Sequence, residues 1–464
     1  MTERPAWLAP ALAYAASWLD YQVRTGEHPG CSLAVALGGE VVLDVAFGHA
    51  DSPAGEALTP RHRFRVASHS KTFTAAAILK LREQGRLKLD DLAGDHVAGL
   101  NPAVAAATLG QLLSHTAGVA RDGPDCAYWV DRAPFLDEAT LRAELGEAPP
   151  IEANTRLKYS NHGFGLLGLV IEAITGESYV SWIAREIIAV AGLAETTPDA
   201  PPPGGAPMAR GHGGRAMLGR HLVFPGDQPT DALAPATGFV STAADLVRFF
   251  GQLSPTADSQ VLSVASRREM TRPQWKDAWS PAPLSYGLGT ISGDFGGWAW
   301  FGHSGGFQGY ITRTLVVPEQ GLAIACLTNV IDGMAHAWLD GVLGILKRFA
   351  EAGPPIPALA DWTGRWWSVW GATDLVAVGD TVVLATPALL TPLLKASEVA
   401  VSAPDEGRIS QAGAFASFGE PVRLIRDAGG SVTEVQVAGG RLVGQDALAA
   451  ELLRRYGSTS PSGD

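Results

Sequence analysis

The pattern that most limits the fold is a pair of β-hairpin signatures set far apart along the chain. Near the N-terminus CSLAVAL and VVLDVAFG flank Gly38-Gly39, and far downstream YITRTLVV and GLAIACLTN flank Pro318-Glu319-Gln320. In each case two β-rich runs surround a short turn, which specifies neighbouring antiparallel strands. The text from about Leu89 to Pro235 reads as helix and loop, without the alternation of a strand. One sheet must therefore be built from early and late segments, with the helical stretch inserted between them.

Other elements fall in place around that sheet. The N-terminal run WLAPALAYAASWLDYQ predicts an amphipathic helix, and apolar residues at helical spacing predict a second from Ser68 to about Gln84, ended by Gly85. A third is expected from about Met334 to Ala350. The segment GPPIPAL, Gly353 to Leu359, is stiff and extended, a linker. Beyond it TDLVAVGD, TVVLAT, PVRLIRD, SVTEVQVAG and RLVGQ are short β-rich runs punctuated by Gly, Asp and Pro, the pattern of a small barrel or sandwich. The expected fold class is α/β (α+β). Residues 1–353 form an antiparallel sheet flanked by helices, with a helical subdomain at about 89–235. A linker at 354–359 leads to a small all-β barrel at 360–455 and a disordered tail at 456–464.

Composition removes several classes of partner. Lys and Arg number 35 against 47 Asp and Glu, a net charge of −12 that argues against a nucleic-acid or anionic-membrane surface. No run approaches the ~20 apolar residues of a membrane span. The N-terminus lacks a basic segment followed by an unbroken apolar stretch, so a cytoplasmic protein is expected. Cys31, Cys126 and Cys326 are far apart and read as reduced thiols, and no histidine pair has HExxH spacing. Neither a metal nor a cofactor is expected. The partner is expected to be a small molecule or short peptide, and a homo-oligomer is compatible with the sequence.

Three short motifs carry chemistry in a fixed order: Ser68-His69-Ser70-Lys71, Tyr159-Ser160-Asn161 and His303-Ser304-Gly305. Residues i and i+3 share a helical face, so Lys71 can lie beside the Ser68 hydroxyl, while Ser68 at the helix start keeps a backbone N–H for an oxyanion. A lysine serves as a base when its pKa falls, and the apolar run after Lys71 suggests enclosure. Tyr159 offers a phenol for proton relay and Asn161 an amide for a substrate carbonyl. Gly305 and Gly306 let a substrate backbone lie close to their strand, and His303 can donate to the tyrosine oxygen or, protonated, attract a substrate carboxylate. Ser70 points away from Lys71, His115 reads as a loop-fixing residue, and Asp245 as a helix-start residue. Trp129, beside Tyr128, and Trp298 and Trp300, just before His303, are candidates to line a pocket for a bulky acyl group.

Together these motifs resemble those of the serine β-lactamase and penicillin-binding protein superfamily, in particular its class C, DD-peptidase, D-aminopeptidase and esterase branch. LGQLLSHTAGV, YSNHGFGLLGLVIEAITG, TGFVSTAADLVRFF, SYGLG and the stretch from HSGGFQGY to LTN extend the likeness over roughly residues 10 to 350. The resemblance implies an acyl-serine enzyme whose site lies between an α/β and a helical region. Ser68 is then the nucleophile, Lys71 the neighbouring base, Tyr159 the proton relay and Asn161 a substrate-amide binder. His303 stands where many members have the lysine of KTG, Ser304 and Gly305 complete that triplet, and Gly306 supplies the second oxyanion N–H. HSG in place of KTG is closer to DD-peptidases and aminopeptidases than to true β-lactamases. DWTGRWWSVW and SFGEPVRLIRDAGGSV resemble the lipocalin-like domain fused to some peptidases and amidases of this branch, read here as narrowing access to the serine. The implied function is hydrolysis of an amide in a small peptide or amino-acid amide, with D-residue preference open. A carboxylesterase, an acyl transferase or peptide cyclase, and a non-catalytic binder are the alternatives.

Overall fold

A computed structural model describes residues 4–200, 204–413 and 415–457. Six helices of ten or more residues occur among them: α1 (Leu8–Thr25), α2 (Ser70–Glu83), α3 (Asn161–Thr175), α4 (Ala243–Gln252), α5 (Ala335–Ala352) and α6 (Gln445–Tyr456). Packing divides the chain into two compact units, His28–His336, and Met1–Glu27 together with Ala337–Asp464. The change of residue pattern near 353–360 marks where barrel strands begin. The packing boundary lies earlier, inside α5, and draws α1 to the same unit as the barrel.

The first unit holds strands β1 (Gly30–Leu37), β2 (Glu40–Asp51), β3 (Glu56–Ala57), β4 (Phe64–Arg65), β5 (Val240–Ser241), β6 (Trp275–Lys276), β7 (Ser285–Tyr286), β8 (Ile291–Phe295), β9 (Trp298–Phe307), β10 (Tyr310–Val317) and β11 (Leu322–Thr328). Nine of them make one sheet in the order β3-β2-β1-β11-β10-β9-β8-β7-β6, and β4 pairs with β5 apart from it. The two hairpins expected from sequence meet at its centre, where β1 and β11 run antiparallel with Leu33 opposite Cys326. β11 is buried at every position, as a strand in mid-sheet must be. Helix α4 covers β1, β10 and β11, and its first turn is capped by Thr242, whose hydroxyl accepts the Asp245 N–H. Residues 89–235 carry helices and turns and, among the described residues, no strand.

In the second unit β12 (Gly364–Ser368), β13 (Gly371–Val378), β14 (Thr381–Ala385), β15 (Ser397–Ala403), β16 (Glu406–Gln411), β17 (Pro421–Arg426), β18 (Val432–Val437) and β19 (Gly440–Val443) form a closed barrel in sequential order. Trp367 opposite Val443 closes it. Its interior is filled by Trp362, Leu375, Val382, Val399, Val422, Val435 and their neighbours, as eight strands allow. The all-β expectation for 360–455 needs one correction: the region ends in α6, because QDALAAELLRRY is built of strong helix formers. Of the expected tail, residues 458–464 lie outside the described residues.

Candidate active site

The chain reaches Ser68 through a strained turn. β4 ends, the Val66 N–H donates to Phe239 O at 2.9 Å, and Ala67 takes a left-handed backbone with φ of 48°. A residue with a Cβ pays of order 1 kcal/mol or more for that conformation. The turn delivers Ser68, half-buried, into the short 3-10 segment Ala67–His69 that runs on into α2. The adjoining residues are tied down. The Ser70 hydroxyl donates to Ala67 O at 2.5 Å and accepts the Phe239 N–H at 3.0 Å. The His69 ring meets Val66 O at 2.8 Å and Thr314 Oγ1 at 3.0 Å. Of the two serines, Ser68 is the one whose hydroxyl faces Lys71.

Lys71 is fully buried, and its Nζ lies 3.2 Å from Ser68 Oγ, 2.7 Å from Asn161 Oδ1 and 2.8 Å from Ala236 O. Burial drives its pKa well below the ordinary lysine value, Arg121 adding to the effect and Asp122 opposing it. In the neutral amine the two shorter contacts take the two N–H groups and the lone pair is left toward Ser68. The Tyr159 phenol shares a hydrogen bond with Ser68, and burial holds it protonated beyond the usual tyrosine range. Lys71 Nζ sits 4.7 Å from the centre of the Tyr159 ring.

Tyr159 is positioned by His115, as the loop-fixing reading expects. His115 has a left-handed backbone, φ 57°, and its carbonyl accepts the Lys158 N–H at 2.7 Å. Its Nδ1 accepts the Ser160 N–H at 3.1 Å, and its ring lies 4.1 Å from that of Tyr159. Ser160 caps α3, accepting the Gly163 N–H at 2.8 Å, so Asn161 opens a helix rather than continuing a loop. The Asn161 amide is already engaged on both sides, accepting from Lys71 and donating to Asp122 Oδ1. Asp122 also accepts from Trp129 Nε1 at 3.1 Å and Arg121 Nε at 3.0 Å. Sequence reasoning missed Asp122, which sits in RDGPDC without any motif spacing.

β9 brings the third motif alongside. Its residues 298–302 pair with β8, whereas 303–307 continue past β8 with only β10 beside them, leaving one edge open for an extended substrate. Gly305 serves the chain itself, since a Cβ there would lie 2.1 Å from Val66 O, the carbonyl just before the nucleophile turn. Gly306 is exposed, and a Cβ would meet nothing closer than Ile311 Cδ1 at 3.6 Å. The close-approach expectation thus applies to Gly305 for the protein backbone, not for substrate. Ser304 is half-buried beside it.

His303 departs from expectation. It is 3% exposed, its Nδ1 is 2.7 Å from Ser304 O, and its Nε2 is 3.0 Å from the hydroxyl of Tyr286, not of Tyr159. The Ser304 N–H also points at Nδ1, at 3.0 Å, so the backbone of Ser304 faces that nitrogen on both sides while Tyr286 faces the other. Burial, His69 and Lys71 together push its pKa well below the ordinary histidine value, which favours the uncharged ring. Tyr286 belongs to SYGLG, whose last residue also matters. Gly289 has φ 68°, its N–H donates to Leu113 O and its carbonyl accepts from Thr72, and a Cβ there would strike Ala75.

The aromatic candidates separate. Trp129 packs edge-on against Phe307 and Phe135 and holds Asp122, close to the motifs. Trp298 and Trp300 alternate to the face of β9 opposite His303, where Trp300 lies beneath Arg313. They do not line the serine site.

A serine with a buried amine at its oxygen, a protonated phenol beside it and an open strand edge is equipped for acyl transfer. The chain belongs to the Beta-lactamase family, whose model matches residues 15–337. It is similar to Penicillin-binding protein 4 of Amycolatopsis lactamdurans, 30% identical over 334 residues, 66% of this chain and 82% of that protein. Among solved structures it resembles the octameric penicillin-binding protein homologue from Pyrococcus abyssi, with TM-score 0.64 and 22% identity over 93% of this chain and 100% of that one. It also resembles the D-amino acid amidase from Ochrobactrum anthropi SV3 complexed with L-phenylalanine amide, with TM-score 0.60 and 25% identity over 72% of this chain and 98% of that one. The protein is a serine hydrolase of this family.

Proposed function

We propose that the enzyme cleaves an amide bond in a small peptide or amino-acid amide, with preference for a D-residue, through an acyl-Ser68 intermediate. The observation that carries this reading is the arrangement at Lys71. Neutral Lys71 takes the Ser68 proton as Oγ attacks the carbonyl carbon, and Asn161 Oδ1 and Ala236 O hold the amine in line. The tetrahedral oxyanion is received by the N–H groups of Ser68 and Gly306. Collapse breaks the C–N bond, and the departing amine needs a proton, which is the one Lys71 took from Ser68, relayed through the Tyr159 phenol so that Lys71 is neutral again. Water then attacks the acyl-serine by the reverse path. An amine leaves poorly without a proton while an alkoxide depends on it less, so a phenol beside Ser68 and Lys71 that can relay one to the leaving nitrogen supports amide chemistry. The amidase from Ochrobactrum anthropi SV3 supports the same substrate class.

Intact mass after a fluorophosphonate probe, followed by rates on a panel of D- and L-aminoacyl amides and esters, tests the reading. Labelling at Ser68 with amide turnover supports it. Turnover of esters alone makes the enzyme a carboxylesterase, aminolysis outrunning hydrolysis makes it an acyl transferase, and absence of labelling leaves a binding protein. Self-association and cytoplasmic residence remain part of the proposal, decided by light scattering and by fractionation of producing cells.

A further inference from the structure

Three arginines stand at alternate positions ahead of the nucleophile turn: Arg61, Arg63 and Arg65. Arg61 Nη2 meets Glu195 at 3.2 Å, and Arg65 Nη1 meets Asp199 at 3.5 Å. Arg63, between them, is 6% exposed and forms no ion pair with a described residue. Its Nη2 reaches Gly204 O at a long 3.4 Å, and its Nε is buried with no acceptor among the described residues. The backbone at this point is fixed, because the Arg63 N–H donates to Pro207 O at 2.8 Å and its carbonyl accepts the Ala209 N–H at 2.9 Å. Arg63 borders a pocket of about 320 Å³. A Cβ on exposed Gly205 would stand 3.7 Å from Arg63 Nη1, so the missing side chain leaves that guanidinium uncovered on the pocket side. Arg210 lines the same pocket, half-buried, with one hydrogen bond, from Nη2 to Phe224 O at 3.3 Å, and no ion pair with a described residue. The one carboxylate on the lining, Asp227, is exposed. Ala206, Pro207, Met208 and Pro225 supply an apolar wall, and none of the motif residues borders the pocket.

We propose that this pocket is a second ligand site, for a small organic anion whose phosphate or carboxylate group is held by Arg63 and Arg210 while a compact body lies on the apolar wall. A guanidinium withdrawn from water needs a counter-charge, and a planar fork with open N–H groups suits two oxygens of one oxyanion. The carboxylates beside its neighbours are already engaged, Glu195 by Arg61 and Asp199 by Arg65 and Thr230. Two guanidinium groups against one exposed carboxylate leave the lining positive in a chain whose net charge is −12, so the attraction for an anion is local. The inference does not depend on the acyl-serine reading. An occupant is nonetheless linked to the nucleophile, because Gly226, on the same lining, gives its carbonyl to Arg65 Nε at 3.1 Å, three residues ahead of Ser68.

The test is the melting temperature of the full chain in chloride buffer at constant ionic strength, with millimolar inorganic phosphate, phenyl phosphate, phenylacetate or benzyl alcohol added. Phenyl phosphate or phenylacetate should raise it by about 2 °C or more, through binding to the folded state alone, and neutral benzyl alcohol should not. The stronger of the two anions identifies the preferred group, and inorganic phosphate shows what that group contributes without a body. Arg63→Met, which keeps the stem and removes the charge, should abolish the shift. Arg210→Gln should weaken binding about threefold or more, and Asp227→Asn should strengthen it. A wild-type shift no larger than that with benzyl alcohol overturns the proposal. So does a shift that survives Arg63→Met, because the anion is then bound elsewhere, the serine site included. If Arg63→Met does not fold, unchanged affinity in both Arg210→Gln and Asp227→Asn overturns it instead.

Discussion

At Ser68 two neighbouring hydroxyls have opposite fates, and contacts rather than spacing decide them. Ser68→Ala should lower turnover by about a thousandfold or more and abolish fluorophosphonate labelling. Ser70→Ala should keep labelling but lose about 1–3 kcal/mol of stability, since Phe239 N–H is left without its acceptor in a buried place. Labelling that survives in Ser68→Ala would reverse the assignment. The glycines of β9 make a second contrast. Gly305→Ala forces a Cβ onto Val66 O and should cost about 1–3 kcal/mol while shifting the nucleophile turn, whereas Gly306→Ala has room and should fold with an unchanged melting temperature. Equal melting temperatures for the two variants would mean that β9 is not held against that turn. Lys71 adds a rate signature. With neutral Lys71 as the proposed base and its pKa depressed by burial, kcat/KM should rise with pH and level off well below 10.5. Lys71→Arg, permanently charged, should be inactive at every pH.

Elements set how far such effects travel. Helix α2 is anchored along its length, Thr72 to Gly289 O and Thr74 to Tyr179 and Pro235 O, so the SxxK face is rigid before substrate arrives. Helix α1 belongs with the barrel unit. Trp18 Nε1 donates to Leu389 O at 3.1 Å and Gln22 Nε2 to Pro387 O at 2.6 Å, while Gly341 leaves no room for a Cβ beside Trp18. A chain ending at Gly353 would strip both donors of their acceptors and expose an apolar helix face. We expect that truncation to melt lower and to bind a hydrophobic dye, with whatever folded fraction remains still labelled at Ser68. A truncated protein as stable and dye-free as the full chain would show that α1 does not need the barrel loops.

Across the whole molecule, buried histidines tie stability to pH. His69 is held neutral with its pKa pushed down to about 4, and burial lowers His115 and His303 in the same direction. The unfolded chain takes up these protons near 6.5 while the folded chain refuses them, so stability rises with pH across this window and is lost as pH falls below 6.5. His69 alone contributes about 3 kcal/mol to the loss by pH 4. Urea midpoints at pH 7, 6 and 5, above the main carboxylate range, should fall steadily. A flat series there would mean that these histidines are protonated in the folded state.

The sequence alone determined the elements and the order of the motifs. Hairpins at Gly38-Gly39 and Pro318-Glu319-Gln320 were legible because turn chemistry and β-rich runs are local properties, and so were the SxxK helix and the short barrel strands. Ser68, Lys71 and Tyr159 were legible because one helical face and three spaced motifs point to a single chemistry. What local pattern could not carry was decided by tertiary contact. Asp122 joined the site from a loop and Tyr286 from the short strand β7, and His303 changed partner from Tyr159 to Tyr286. Gly305 was kept small by Val66 rather than by substrate, Trp298 and Trp300 turned to the far face of β9, and α1 was assigned to the unit at the opposite end of the chain. Each of these depends on residues distant in sequence sharing a buried volume. Burial then set the protonation of Lys71, Tyr159 and His303, because the cost of charge depends on what surrounds a group and not on its neighbours along the chain.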